Sequence, residues 1–149
     1  MIKHRKINIE DVKSKICDLN TIYEKYSHIL VCMYVFGSIN SCRSTPLSDI
    51  DIAILFDNSI DEKQMDLYEN KILNDLSDFF NTEEIDLIVL NKAPLSIQYG
   101  VIKSKSNMYY KDLVKIADYE NNIVLKYIDF KKYRDELNDA FIKSLIKRR

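Results

Sequence analysis

The chain has little of what interrupts or staples a fold: two glycines, two prolines, three cysteines and no tryptophan in 149 residues. So few breakers exclude a loop-rich or low-complexity chain. Cys17, Cys32 and Cys42 are odd in number and form no C-x-x-C, which excludes a disulfide framework and a cysteine-based zinc site and suits a reducing, cytoplasmic setting. A dominant charge sign is missing too. The formal net charge is −1, so no overall field draws the chain to nucleic acid or anionic lipid, and the basic ends "MIKHRK" and "KRR" read as solvated tails. No apolar run approaches the roughly 20 residues that span a bilayer, and the N-terminus enters a charged segment without a signal-peptide core. A soluble cytoplasmic protein with no direct nucleic-acid or membrane partner is expected.

What is present is ordinary globular composition, 46% hydrophobic and 30% charged, at a length that suits one domain over residues 1–149. Ile9, Val12, Ile16, Leu19, Tyr23 and Tyr26 recur at helical spacing, with Asn8 as N-cap. "HILVCMYVF" (28–36), "DIDIAILF" (49–56) and "IDLIVL" (85–90) are short apolar runs that predict buried strands. Ser59 and Glu62 have capping-box spacing ahead of a helical stripe from Met65 to Phe79. Pro94 suits the first turn of a further helix that Gly100 interrupts, "NMYY" (107–110) is a weak strand, and residues 112–147 read as one long helix or a pair. The fold class is α/β, a mixed β-sheet with an αβαβαβα core at about 10–110 and a C-terminal helical segment. There Tyr119, Tyr127 and Tyr133 interleave with Ile123, Phe130 and Leu137, either closing over the sheet or offering a partner more apolar surface than the core covers.

One of the two glycines lies in "FGSINSCRSTPLSDIDIAILF" (36–56), where Gly37-Ser38 ends one strand and Asp49-x-Asp51 opens the next. The loop between them is too short for a crossover with a well-formed helix, so the two strands are expected to be antiparallel neighbours, which sets Gly37 beside Asp49. The following helix is long enough for a right-handed crossover, which makes the second and third strands parallel and starts Asp86 on the same edge. The two-residue period of a strand places Asp49 and Asp51 on one face, about 6–7 Å apart. Carboxylates this close repel unless a cation lies among them, and Mg²⁺ prefers such hard oxygen ligands. A glycine with exposed N–H groups and a serine hydroxyl makes an anion cradle.

Gly-Ser, ten residues, Asp-x-Asp and a third acid on the next strand resemble the DNA-polymerase-β-like nucleotidyltransferase superfamily. The loop ending Thr45-Pro46-Leu47-Ser48-Asp49-Ile50-Asp51 is similar to that of the minimal nucleotidyltransferases. The resemblance implies that Gly37 and Ser38 hold the triphosphate of ATP. It also implies that Asp49, Asp51 and Asp86 bind Mg²⁺, two ions in such sites, and that Asp86 deprotonates the acceptor hydroxyl, with Glu83 or Glu84 as its substitute. The loop departs from the family in Ile39, Asn40, Ser41 and Cys42, and Arg43 is a candidate compensating cation. Minimal nucleotidyltransferases commonly serve as antitoxins of HEPN-domain ribonuclease toxins, to which they transfer AMP at a tyrosine. The resemblance therefore implies an adenylyltransferase antitoxin that forms a hetero-oligomer with a HEPN toxin. The other readings are transfer to a small hydroxyl compound of the aminoglycoside type, and a module that binds nucleotide or masks a toxin without turnover.

Overall fold

The computed structural model describes residues 9–37 and 49–147. Helices α1 (Ile9–Ile16) and α2 (Asn20–Tyr26) lead into strands β1 (Leu30–Phe36) and β2 (Ile50–Phe56). Helix α3 (Glu62–Phe80), strand β3 (Ile85–Val89), helix α4 (Leu95–Ser104), strand β4 (Asn107–Tyr110) and helix α5 (Leu113–Lys147) follow. The four strands form one mixed sheet in the order β3-β2-β1-β4. β1 is antiparallel to both β2 and β4, and β2 is parallel to β3, as the lengths of the connections require.

The sheet is buried on both faces, which explains why its strands read as continuous apolar runs. Met33, Val35, Ile50, Ile52 and Ile54 point to one face and pack with α1, α2 and α3 through Val12, Ile16, Tyr23, Tyr26, Ile72 and Leu76. Cys32, Tyr34, Ala53 and Leu55 point to the other, under Val101 of α4 and Ile116 of α5. Each fully buried isoleucine of β2 contributes about 1.5–3 kcal/mol, so the alternation along this strand fixes its register and with it the face on which Asp51 emerges.

Several local expectations are corrected. The stripe from Val12 to Tyr26 is buried as predicted, but it belongs to two helices. Asp18 and Leu19 donate to carbonyls three residues back, and this tight turn lets the three-residue step from Ile16 to Leu19 carry the apolar face across the break. The phenol of Tyr109 on β4 also donates to the Ile16 carbonyl, which thus accepts from both Leu19 and Tyr109 and ties the break to the sheet. The capping box of α3 is formed by Asp61 and Gln64, not by Ser59 and Glu62: Asp61 accepts from the Gln64 amide at 2.8 Å and Gln64 accepts from the Asp61 amide at 3.1 Å. Ser59 instead donates both its amide and its hydroxyl to Asp57. Pro94 is the N-cap of α4, not part of its first turn, and Gly100 lies inside that helix without interrupting it. Residues 113–147 form one helix rather than a pair. Asn8 lies outside the described residues. No described helix is long and apolar enough to cross a membrane.

Candidate active site

Three elements end at the same rim of the sheet. β1 delivers Phe36 and Gly37, β2 begins with Ile50 and Asp51, and β3 begins with Ile85 and Asp86. The antiparallel register pairs Phe36 with Asp51, and the parallel register pairs Asp51 with Asp86. Asp51 therefore stands between the two neighbouring strands. Ile50, one residue earlier, points into the core, so Asp51 projects from the face opposite to it. The Ile50 amide donates to the Glu84 carbonyl at 3.0 Å, which locks the start of β2 to the start of β3 and holds the two aspartates in register. On the other side, the Ser106 amide and hydroxyl both donate to the Val35 carbonyl, fixing the end of β1.

Gly37 has φ +79°, and a Cβ built on it would lie 2.1 Å from Oδ2 of Asp51. A side chain is excluded twice over, by the left-handed backbone and by the carboxylate lying against it. The expected neighbour is Asp49; the atoms lying nearest to a side chain at Gly37 are those of Asp51, whose strand partner is Phe36. The glycine thus makes room for the acid as well as opening the backbone.

Asp51 is partly buried, whereas Asp49 and Asp86 are exposed. Burial, then the charge of Asp86, then that of Asp49 push the Asp51 carboxyl up from 3.8 to about 6. Each influence disfavours the ion, and a cation bound among these oxygens reverses the last two. The donors are hard carboxylate oxygens that feel one another's charge, a chemistry that fits Mg²⁺, although among the described residues no three acidic, histidine or cysteine side chains are gathered into a ready-made cluster. Glu84 takes part through its backbone, and Glu83 turns away to a separate groove with Leu73, Asn74 and Ser77 of α3. Ser38, Ile39, Asn40, Ser41, Cys42 and Arg43 lie outside the described residues.

Beneath the rim, on the same face, is a polar group that the sequence did not announce. The phenol of Tyr34 donates to Glu120 Oε1 at 2.9 Å, and Lys105 pairs with the same carboxylate while lying 5.6 Å from the centre of the Tyr34 ring. These three residues come from β1, α5 and the turn between α4 and β4, so their partnership rests on tertiary packing alone. Burial pushes the neighbouring Cys32 thiol up to about 12, which leaves it un-ionised and unreactive.

The family model "Polymerase beta, Nucleotidyltransferase" matches residues 18–114, from the turn before α2 to the start of α5. The chain belongs to this nucleotidyltransferase family. The match covers all four described strands and the rim acids Asp49, Asp51 and Asp86, while Glu120 lies beyond it. Among solved structures, this nucleotidyltransferase is similar to a chain of the toxin-antitoxin MntA-HepT complex, with TM-score 0.62 and 16% identity over 87% of this chain and 98% of that one. It is similar to a chain of the tri-AMPylated Shewanella oneidensis HEPN toxin in complex with MNT antitoxin, with TM-score 0.62 and 17% identity over 87% and 98%. A third likeness is to a chain of a toxin-antitoxin crystallised with AMP-PNP, with TM-score 0.64 and 17% identity over 91% and 98%. At these identities the likeness is one of fold. No curated protein matches the sequence.

Proposed function

We propose that this nucleotidyltransferase is an adenylyltransferase antitoxin that moves AMP from ATP to a tyrosine of a partner HEPN ribonuclease toxin. The observation that carries the transfer chemistry is the pairing of Asp51 with Asp86 across parallel strands, with Gly37 packed on Asp51. In the reaction, the tyrosine oxygen attacks the α-phosphorus of ATP, the bond to the β-phosphate oxygen breaks, and pyrophosphate leaves with that electron pair. The hydroxyl proton passes to Asp86, which is exposed at the mouth of the site. Asp49, Asp51 and Asp86 would hold Mg²⁺, which when bound neutralises the phosphates and the departing pyrophosphate. Gly37 and Ser38 would cradle the triphosphate. Asp51 orients the bound nucleotide from its fixed position between the strands, where small misplacement costs about 100-fold in rate.

A protein acceptor suits a chain whose described residues are accounted for by the sheet, its two helical layers and α5. A toxin brings its own surface to the tyrosine, and solved relatives in this fold include an MNT antitoxin in complex with a tri-AMPylated HEPN toxin. Incubating the purified chain with ATP, Mg²⁺ and a HEPN toxin from the same genome tests the reading: one AMP mass on a toxin tyrosine and loss of ribonuclease activity are expected. If the toxin stays unmodified while small hydroxyl compounds are adenylylated, the acceptor is wrong. Neutralisation that persists without modification in Asp49→Asn would instead support masking by binding.

A further inference from the structure

Helix α5 changes character along its length. Its first three turns are rooted on the sheet by Ile116 and Ile123, both buried, whereas every residue from Ile128 to Lys147 is exposed. Those twenty residues extend about 30 Å. Their composition is not that of a solvated helix. Phe130, Tyr133, Leu137, Phe141 and Leu145 follow one another at steps of three and four, on the same side as Ile116 and Ile123, and are 46 to 64% exposed. The stripe that covers the sheet at the root thus continues uncovered to the end of the helix, as an apolar patch of the kind that marks an interface.

The charges beside the stripe indicate what covers it. Asp129, Glu136, Lys143 and Lys147 lie along one flank at steps of seven, seven and four, with acids towards the root and bases towards the tip. In an antiparallel pair of identical helices the same flank of each copy faces itself, with its direction reversed. We propose that the exposed part of α5 is a self-association surface on which a second copy of this chain lies antiparallel, centred on Leu137 and Asn138. In this register Asp129 of each copy meets Lys147 of the other, and Glu136 comes within a turn of Lys143. Phe130 packs on Leu145, Tyr133 on Phe141, and the two Leu137 side chains meet at the axis. The tip of each helix stops just short of the root of the other. A parallel pair would bring both folded bodies, rooted at Ile116 and Ile123, to the same end. The pairing is isologous and closes at two copies, and it does not depend on the transfer reaction.

Sedimentation equilibrium of the whole chain across a micromolar concentration series is expected to give the mass of a dimer. Leu137→Asp sets two carboxylates against each other at the axis and weakens dimerisation by at least about 100-fold. Because Leu137 is 52% exposed, its far-ultraviolet circular dichroism should match the unmodified chain. Asp129→Lys with Glu136→Lys makes the flank wholly basic, and Lys143→Glu with Lys147→Glu makes it wholly acidic. Each double variant alone should be monomeric at low salt, and a mixture of the two should form a heterodimer. A chain that stays monomeric throughout, a dimer indifferent to Leu137→Asp, or charge variants that do not combine on mixing would overturn the proposal. So would a monomer that loses capture of the HEPN toxin on Leu137→Asp, which assigns the stripe to a different protein.

Discussion

Asp51 and Asp75 are both partly buried carboxylates at the edge of the main core, and the fold treats them in opposite ways. Burial alone would raise Asp75. The hydrogen bonds from Lys25, at 2.8 Å, and from the Tyr26 phenol outweigh it and hold this carboxyl below the ordinary 3.8. Asp51 is raised to about 6, by burial first and then by Asp86 and Asp49. One carboxylate is completed by its own chain, while the charges that act on the other are like charges. Nothing in the packing requires an acid at position 51, since its neighbour across β3 is another acid. A group kept at such a cost at the mouth of three strands is an expected functional position, and Asp75 is the structural control for it.

The largest expected difference between the two is in the transfer reaction. Asp51→Asn and Asp49→Asn should each lower the transfer rate by about 100-fold or more, because each removes a carboxylate that would hold Mg²⁺ and, with it, the positioning of the α-phosphate. Asp75→Asn, at the far side of the sheet, should leave the rate within about two-fold, since no ligand of the proposed reaction touches it. Single-turnover transfer at saturating ATP measures both. Equal losses in the two variants would remove the distinction on which the site rests.

Gly37→Ala probes the same carboxylate from the neighbouring strand. An alanine there adopts a left-handed backbone and drives its methyl group into Asp51, so the strand end or the carboxylate must move. A loss of about 1–3 kcal/mol in stability is expected, together with a loss of transfer. Chemical denaturation and the transfer assay report the two effects separately. Gly100→Ala is the control: nothing lies within 4 Å of the added carbon inside α4, so it should be neutral or stabilising by up to about 1 kcal/mol.

These two glycines illustrate how far the sequence could be read. The strands were legible because continuous apolar runs such as Ile50–Phe56 have one explanation in a short α/β chain, and the antiparallel and parallel pairings followed from connection lengths. The spacing of Gly37, Asp49 and Asp51 pointed to the rim at which Gly37, Asp51 and Asp86 come together. The contact between Gly37 and Asp51 was not legible, because it depends on the register of β1 against β2, which no local pattern states. Neither was the pairing of Tyr34, Glu120 and Lys105, whose members are far apart in sequence. The break at residues 17–19 was hidden because the step from Ile16 to Leu19 suits either a continuing helix or a tight turn. The cap of α3 was misplaced by two residues because Ser59 and Asp61 are both good N-cap residues with a suitable residue three positions on, and only the structure shows that Ser59 is engaged by Asp57.

The comparison also has a pH signature of opposite sign at the two sites. Between pH 3.8 and about 6 the folded chain binds a proton at Asp51 that the unfolded chain releases, so this group makes the fold less stable as pH rises through that window. Above pH 6 the whole charge is present and its cost is greatest. The span from 3.8 to about 6 corresponds to about 3 kcal/mol, which water around a partly exposed carboxylate reduces to about 1–2 kcal/mol. Asp51→Asn should therefore raise stability by that amount at pH 7.5 and have little effect at pH 4. Mg²⁺ should stabilise the unmodified chain at pH 7.5, by an amount set by its concentration relative to its affinity, and should do nothing for Asp51→Asn. Thermal melts with Mg²⁺ and with excess chelator provide the readout. Equal stabilisation of both chains by Mg²⁺ would place the ion elsewhere.

Asp75 should give the smallest effect and the reverse slope. Its carboxyl is lowered in the fold, so the stability it supplies is present above the unfolded value near 3.8 and is lost as pH falls through its folded value. The Asp75 side chain is 26% exposed and that of its partner Lys25 is 60% exposed, so water screens much of their attraction. Asp75→Asn is expected to cost no more than about 0.5–1 kcal/mol at pH 7. The Tyr26 phenol still has an amide oxygen to donate to, so the variant isolates the charge from the hydrogen bond. The difference in stability between the unmodified chain and Asp75→Asn should shrink towards zero as pH falls to 3, whereas the difference for Asp51→Asn shrinks on the way to pH 4 with the opposite sign. Denaturant titrations across pH 3–8 separate the two curves. A stabilising Asp75→Asn at neutral pH would mean that Lys25 and Tyr26 do not satisfy this carboxylate, and Asp75 would then no longer serve as the structural control for Asp51.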